Sequence, residues 1–194
     1  IAARIVRALA TRPSRRRRRH PRKGAPDLRG AFRLSLSTGG EPLRLPRLRR
    51  KPRVPRLLVL LDVSGSMERH TALLLRLLYA VSRHTHRIEV LVFSTSVTRV
   101  THILQAPSFQ ETLQGLGRAV EHWSGGTKIG PAIRTVNTQY AALLDRYTSV
   151  FLLSDGWDTG DPTDLARELR RMRRKVRRLV WLNPLIGTTD YQPL

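Results

Sequence analysis

The chain has 194 residues and a formal net charge of +22, from 36 basic and 14 acidic side chains. It contains no cysteine, which excludes a disulfide framework, a thiolate metal site and a cysteine nucleophile. No apolar run approaches the roughly 20 residues that span a bilayer, and no apolar segment of a secretory signal follows the arginine-rich start. We therefore expect no transmembrane segment, and the composition fits a reducing compartment such as the cytoplasm.

The positive charge is concentrated in the first 56 residues, which carry a net +17, whereas residues 57–194 carry +5. Five successive arginines, Arg15 to Arg19, lie between two prolines, and residues 43–56 alternate arginine with leucine and proline. Repulsion between the like charges and the prolines both disfavour a helix here. The sequence predicts a basic, Arg/Pro-rich leader over residues 1–55, largely disordered or strap-like, and a folded domain over residues 56–194.

The basic leader has three competing interpretations. It is a solvated tail, it binds an acidic protein, or it binds nucleic acid or an anionic lipid surface through residues 11–56. No aromatic side chains are interleaved with the arginine run Arg15 to Arg19, so stacking of this run on single-stranded nucleic acid is not favoured.

Apolar runs predict the strands of a central sheet. Leu57 to Leu61 is continuously apolar, which is typical of a strand buried on both faces of a parallel sheet. Runs that are mostly apolar follow at residues 88–93, 147–153 and 179–182 and predict further strands. Val97 to Thr101 alternates apolar and polar residues soon after the second run, which predicts an antiparallel partner at the edge of the sheet.

Helical patterns separate these strands. After Met67, apolar residues at spacings of three and four predict one stripe formed by Leu73, Leu74, Leu77, Leu78 and Val81. A capping box at Ser108 begins a helix that we expect to end near Val120. Two further helices are predicted. The first carries the apolar residues Ile133, Val136, Tyr140 and Leu144. The second begins after the capping residue Asp161 and carries Leu165, Leu169 and Met172. The alternation predicts a Rossmann-like α/β domain with a mostly parallel central sheet and helices on both faces, preceded by a basic extended arm.

Polar loops follow two of the strands, and ligands of open α/β sheets bind at the carboxyl ends of the strands. Asp62-Val63-Ser64-Gly65-Ser66 follows the first strand, and its alternate positions are able to turn their oxygens toward one point. Gly125-Gly126-Thr127 precedes a helix, and Ser154-Asp155-Gly156 follows a later strand. Together these loops offer carboxylate and hydroxyl oxygens, the hard donors that suit Mg²⁺ or Mn²⁺.

Each of these residues also has a simpler interpretation. Asp62, Ser64 and Ser66 are suited to cap the following helix, and Asp155 is suited to a turn before Gly156. Asp158 is predicted to be a turn or capping acid, with a supporting role behind the metal ligands as the alternative. Trp123 and Trp157 flank two of the loops, where they either line the rim of a partner pocket or pack in the core.

The three loops resemble the metal-ion-dependent adhesion site of von Willebrand factor A domains. Asp62, Ser64 and Ser66 match its first loop, Thr127 the second and Asp155 the third. The resemblance implies that these five residues hold Mg²⁺, with Mn²⁺ as the alternative. It also implies that a partner protein offers a carboxylate to the metal, and that the site binds without catalysis.

Several segments within residues 11–185 resemble one family of these domains more specifically, the CoxE-like family. They are the arginine-rich leader with Asp27-Leu28-Arg29 and Gly39-Gly40-Glu41-Pro42, the three loops with their flanks, and Trp181-Leu182-Asn183-Pro184. The resemblance implies a bacterial cytoplasmic protein, or one peripheral at the inner face of the membrane, that works with a MoxR-type AAA+ ATPase. It further implies maturation of a metalloenzyme such as a molybdenum-containing carbon monoxide dehydrogenase. The family fold adds a strand and a final helix after Pro184, so we expect the domain to be truncated at its C-terminus.

Two functions from other classes are alternatives to this one. A Mg²⁺-dependent phosphohydrolase of the haloacid-dehalogenase kind also places an aspartate at the end of the first strand, but it needs a second acid where this chain has Ser64. A nucleic-acid-binding protein would use the basic leader, and its affinity would fall steeply with salt.

Overall fold

The computed structural model describes residues 13–36, 39, 45–52, 56–120 and 126–184. The described residues divide into two compact units, one on each side of residues 54 and 55. We call residues 13–52 the leader unit and residues 56–184 the α/β domain. The predicted features at Trp123, Ser124 and Gly125 lie outside the described residues.

The leader unit contains a small antiparallel sheet. Strands β1 (Pro13–His20) and β2 (Ala25–Pro26) both pair with the central strand β3 (Arg47–Pro52), and helix α1 (Leu28–Leu36) lies between β2 and β3 in the chain. The sequence predicted a leader that is largely disordered or strap-like, and the described part of the leader contains these extended strands. Like charges oppose a helix, but they permit an extended pairing in which Arg17, Arg18 and Arg19 stay exposed to solvent.

The α/β domain is built on a five-stranded sheet. Its strands are β4 (Arg56–Asp62), β5 (Ile88–Phe93), β6 (Val97–Arg99), β7 (Thr148–Leu153) and β8 (Arg178–Leu182), in the spatial order β6-β5-β4-β7-β8. Strand β4 is central and parallel to both β5 and β7, β8 is parallel to β7, and β6 is antiparallel to β5 at the edge. The predicted strands and the antiparallel edge are confirmed.

Both faces of β4 are covered. Leu58 and Leu60 belong to a core that includes Ile133 and Met172 from two helices, and Val59 and Leu61, which alternate with them, are equally buried. The helices of the domain are α2 (Glu68–Ser82), α3 (Phe109–Ala119), α4 (Ile129–Thr138) and α5 (Pro162–Lys175). None of the helices in the described ranges is long and apolar enough to cross a membrane. The Rossmann-like α/β prediction is confirmed.

Capping residues fix where two of the helices begin. The Ser108 hydroxyl accepts a hydrogen bond from the backbone N–H of Glu111 at 3.2 Å, as the capping box predicts. The Asp161 carboxylate accepts one from the backbone N–H of Thr163 at 2.8 Å. The side-chain and backbone hydrogen bonds from Thr163 lower the pKa of Asp161, because they stabilise its ionised form.

The buried side of α2 differs from the predicted stripe. The helix buries Thr71, Leu75, Leu78 and Val81, whereas Leu73 and Leu77 are exposed, so the prediction is wrong for those two leucines. Leucine occupies five positions between residues 73 and 78, which supports more than one helical stripe, and packing against the sheet selects one. Helix α4 is also shorter than predicted, and a separate turn of 3-10 helix, Ala141–Leu143, follows it.

Candidate metal site

Asp62 is the last residue of β4 and is fully buried. Its Oδ1 accepts a hydrogen bond from the backbone N–H of Ser64 at 2.9 Å, and its Oδ2 accepts one from the Ser154 hydroxyl at 2.8 Å. The first of these bonds turns the chain directly after the strand. The hydroxyl oxygens of Ser64 and Ser66 lie 3.1 Å apart, with Ser64 buried and Ser66 exposed. The first loop therefore brings its three predicted ligands together.

Thr127 is held between the ends of two other strands. The backbone N–H of Lys128 donates to the carbonyl of Ser94, which follows β5, at 3.2 Å. The carbonyl of Thr127 accepts from the backbone N–H of Thr159 at 3.1 Å and from its hydroxyl at 2.9 Å, and Thr159 follows β7. Because β4 lies between β5 and β7, Thr127 and Asp62 share the same edge of the sheet. The Thr127 side chain is buried there.

Asp155 lies in the loop after β7 and is fully buried. Its Oδ1 accepts a hydrogen bond from the backbone N–H of Trp157 at 3.1 Å, whereas its Oδ2 is buried and has no hydrogen-bond partner among the described residues. Gly156 has φ of 86°, a left-handed conformation that favours glycine, and this turns the chain sharply after the acid. A buried carboxylate oxygen without a donor is costly unless a cation binds it.

Contacts from β8 support the third loop. The indole N–H of Trp181 donates to the carbonyl of Ser154 at 3.0 Å, and the side-chain amide of Asn183 donates to the carbonyl of Asp155 at 2.6 Å. These bonds fix the backbone of the two residues that face Asp62. The segment Trp181 to Asn183 therefore supports the site without supplying a ligand.

The two buried carboxylates make the site electrostatically strained in the absence of a cation. Burial raises the pKa of Asp62, hydrogen bonds from Ser64 and Ser154 oppose that shift, and the negative charge of Asp155 adds to it. Within the described ranges, neither acid forms an ion pair with a basic side chain. A divalent cation would remove the repulsion and supply the partner that Asp155 Oδ2 lacks.

The donor chemistry of the three loops fits Mg²⁺. The part of the chain that the structure describes has no cluster of three or more His, Cys, Asp or Glu side chains placed to hold a metal. A metal at this edge must therefore rely on hydroxyl oxygens as well as on Asp62 and Asp155. Hard oxygen donors with room for water are the ligands that Mg²⁺ takes, and Mn²⁺ accepts the same set.

Two supporting residues were not assigned their role from the sequence. Ser154 donates to Asp62, and Thr159 binds the carbonyl of Thr127. Asp158 was predicted to be a capping or turn acid, and it caps α4, accepting from the backbone N–H groups of Ile129 at 3.0 Å and Gly130 at 3.4 Å. The position of Ser154 beside Asp155 was a usable signal, whereas the contact of Thr159 depends on the tertiary fold alone.

Replacing Ser154 with alanine is expected to weaken Mg²⁺ binding by roughly 10- to 100-fold, the range for residues that orient metal ligands. The change removes the hydroxyl that fixes Asp62 Oδ2, so that the backbone N–H of Ser64 alone orients the carboxylate. Isothermal titration with Mg²⁺ measures the effect, and Ser154→Thr, which retains a hydroxyl, serves as the matched control. Equal affinities for Ser154→Ala and the wild type would show that Ser154 does not position Asp62.

A Rossmann-like α/β sheet with an Asp-x-Ser-x-Ser loop, a threonine loop and an aspartate loop at one edge defines a von Willebrand factor type A (VWA) domain. The chain belongs to the family of VWA domain containing CoxE-like proteins, whose family model matches residues 2–194. VWA domains often mediate protein interactions. No curated protein sequence matches the chain.

Several solved structures are similar to the chain at low sequence identity. A von Willebrand factor type A protein from Catenulispora acidiphila is 18% identical with a TM-score of 0.47, over 70% of this chain and 36% of that chain. Proximal thread matrix protein 1 from the mussel byssus is 15% identical with a TM-score of 0.44, and the match covers 66% of this chain and 44% of that chain. The conserved hypothetical protein BatB from Bacteroides thetaiotaomicron is 17% identical with a TM-score of 0.38, and the match covers 71% of this chain and 75% of that chain. The chain thus spans less than half the length of the first two.

Proposed function

We propose that the chain is a Mg²⁺-dependent protein-binding module whose metal is held by Asp62, Ser64, Ser66, Thr127 and Asp155. The observation that carries the proposal is the buried Oδ2 of Asp155, which lacks a hydrogen-bond partner among the described residues and repels a second buried carboxylate, Asp62. Neutral hydroxyls supply the other protein ligands, so the charge of the metal is only partly offset. Bound Mg²⁺ would supply a coordination position for a carboxylate oxygen from a partner.

Two features favour a partner over a small substrate. Ser66, Gly65 and Gly126 are exposed, so the site opens to solvent at the loops that carry the hydroxyls. Trp157 is 52% exposed although its backbone N–H is fixed to Asp155 Oδ1. A half-exposed tryptophan next to the metal ligands suits an apolar contact that flanks the carboxylate of the partner.

Membership of the CoxE-like family supports a more specific proposal about the partner. We propose that the chain acts in the cytoplasm with a MoxR-type AAA+ ATPase, as an accessory factor for a metalloenzyme such as carbon monoxide dehydrogenase. In this proposal the chain is not itself an enzyme. It links the ATPase to its client through the carboxylate that the metal accepts.

Capture from a native cell lysate tests this proposal. The full chain is expected to retain an AAA+ ATPase, identified by mass spectrometry, in Mg²⁺ and to release it in chelator. Asp62→Ala is expected to lose the capture completely, with its fold verified by circular dichroism. Asp145→Asn is the matched control, because Asp145 precedes β7 and so lies at the opposite end of the strand from Asp155. Equal capture by folded Asp62→Ala would refute the proposed role of the site.

The phosphohydrolase alternative has no support from the geometry. The position two residues after Asp62, where such an enzyme needs a second acid, is a buried serine, Ser64. The general acid–base partner of the aspartate nucleophile is therefore missing. Mg²⁺-dependent phosphatase turnover that Asp62→Asn abolishes would reverse this conclusion.

A further inference from the structure

Helix α1 of the leader unit exposes an apolar stripe. Leu28, Phe32 and Leu36 recur every four residues, so they lie along one side of the helix, and they are 72%, 67% and 68% exposed. The buried residues of the same helix are the small side chains Gly30, Ala31 and Ser35. The helix is therefore inverted relative to an ordinary amphipathic helix, because its large apolar residues face outward.

Hydrogen bonds fix the orientation of this helix. The Asp27 carboxylate accepts from the backbone N–H of Gly30 at 3.0 Å, and the backbone N–H of Asp27 donates to the carbonyl of Pro46, next to β3, at 2.8 Å. A Cβ atom at Gly30 would clash with the Asp27 carboxylate, so a larger residue at this position would displace the carboxylate from its capping position. The exposed stripe is consequently a defined surface and not one face of a helix that is free to rotate.

Arginines surround the stripe in sequence and dominate the sheet of the same unit. Arg29 and Arg33 are exposed on α1. Across β1 and β3, Arg17 lies opposite Arg50 on one face of the sheet and Arg18 lies opposite Arg49 on the other face, and all four are exposed. Like charges directly opposite one another destabilise a sheet. Among the described residues these arginines form no ion pair, and Asp27, the acid of the described leader, is engaged in capping α1.

We propose that the leader unit binds the surface of an anionic lipid membrane, with the α1 stripe inserted among the acyl chains and with the arginines of α1 and of one face of the sheet at the headgroups. Phosphate groups of either lipid or nucleic acid would relieve the repulsion between the arginines. A nucleic acid has no continuous apolar surface that covers a helical stripe of three large side chains, whereas a bilayer interface does. An apolar helical stripe combined with a basic surface provides the two signals that stable peripheral binding needs.

Vesicle co-sedimentation of the full chain tests this proposal. The wild type is expected to bind vesicles of phosphatidylcholine with phosphatidylglycerol and not to bind phosphatidylcholine alone. Phe32→Ser is expected to weaken binding by roughly tenfold or more, because it removes one inserted apolar side chain. The double variant Arg18→Gln and Arg49→Gln is expected to weaken it by roughly 25-fold, since each arginine near an anionic surface contributes about fivefold. Leu73→Ser removes an equally exposed leucine from the α/β domain and is the matched control.

The outcomes distinguish binding of lipid from binding of nucleic acid, and they show whether vesicle binding depends on the metal site. Failure to bind anionic vesicles overturns the proposal, and so does binding that Phe32→Ser leaves unchanged. Binding of duplex DNA without binding of vesicles would establish nucleic acid as the ligand of the arginines. The proposal does not depend on Mg²⁺, so Asp62→Ala is expected to bind anionic vesicles as the wild type does, in chelator as well. Circular dichroism of each variant checks that the fold is retained.

Discussion

Replacing Asp155 with asparagine is expected to abolish the stabilisation that Mg²⁺ gives the wild-type chain. At a Mg²⁺ concentration a hundredfold above Kd, the wild type gains about 2.7 kcal/mol in its free energy of unfolding. The variant retains an oxygen able to accept the Trp157 backbone N–H, so its loop conformation is maintained. It loses the anionic oxygen that lacks a partner among the described residues. Thermal unfolding in Mg²⁺ and in chelator measures the difference.

The metal-free comparison gives an independent check on the electrostatics. In chelator, Asp155→Asn is expected to be at least as stable as the wild type, because a buried charge has been removed. Wild-type stability is expected to fall as pH rises through the raised pKa of Asp62, since the folded state holds that proton more tightly than the unfolded state. The fall is shallower in the variant, because the charge of Asp155 contributes to the raised pKa.

Asp145→Asn again provides the control for this experiment. Its carboxylate is partly exposed, pairs with Arg56 and accepts from the backbone N–H of Tyr147, before β7 begins. The Mg²⁺ response of this variant is expected to equal that of the wild type. A full Mg²⁺ response in Asp155→Asn would mean that the cation binds elsewhere.

Replacing Leu60 with alanine is expected to cost about 3 kcal/mol in the free energy of unfolding, within the range for buried leucines. Leu60 is 1% exposed in the central strand β4, where it belongs to the core formed with Leu91, Ile133 and Leu152. Truncation leaves a cavity between the sheet and α4, and the close packing of neighbouring side chains limits its collapse. Urea unfolding monitored by tryptophan fluorescence measures the loss.

Leu73→Ala is the control for the Leu60 variant. Both changes remove the same atoms, but Leu73 is 70% exposed on α2, so its loss is expected to stay within about 0.5 kcal/mol. The contrast tests the observed register of α2 as well, because the sequence pattern placed Leu73 in the buried stripe. Equal losses for the two variants would contradict the helix orientation in the structure.

The sheet could be predicted from the sequence because each strand is marked locally. Residues 57–61 are continuously apolar, which suits a strand covered on both faces, and residues 97–101 alternate, which suits an edge. The apolar pattern of each strand reflects how its own residues are buried, so it can be recognised without knowing which strands lie beside it. Helix registers are less determined, since the leucine-rich segment around Leu75 fits several stripes and only packing against the sheet selects one.

The leader shows a different limit of sequence-based prediction. The sequence predicted a leader that is largely disordered or strap-like, but it did not predict that residues 13–20 form β1 by pairing with β3, about 30 residues away in the chain. Long-range pairing leaves little trace in local composition. The charge pattern still predicted the exposure of Arg17, Arg18 and Arg19 correctly.

At the candidate site, the five proposed ligands could be chosen from the sequence because their residue types and order are distinctive. The contacts that position them could not be chosen in this way. Ser154 reaches Asp62 across 92 positions in the chain, and Trp181 and Asn183 approach from β8. Such contacts involve ordinary polar groups and depend on strand order, which no local pattern specifies.

The bonds that join the threonine loop to the segment after β7 are part of a larger network. The backbone N–H and the hydroxyl of Thr159 both donate to the carbonyl of Thr127, and the Asp158 carboxylate accepts from the first two N–H groups of α4. The threonine loop, the start of α4 and the residues beyond Trp157 are therefore joined by hydrogen bonds. Helix α4 is joined in turn to α5, because the side-chain amide of Asn137 donates to the carboxylate of Glu168. One continuous hydrogen-bonded network thus runs from the sheet edge that carries Thr127 to the arginine-rich helix α5.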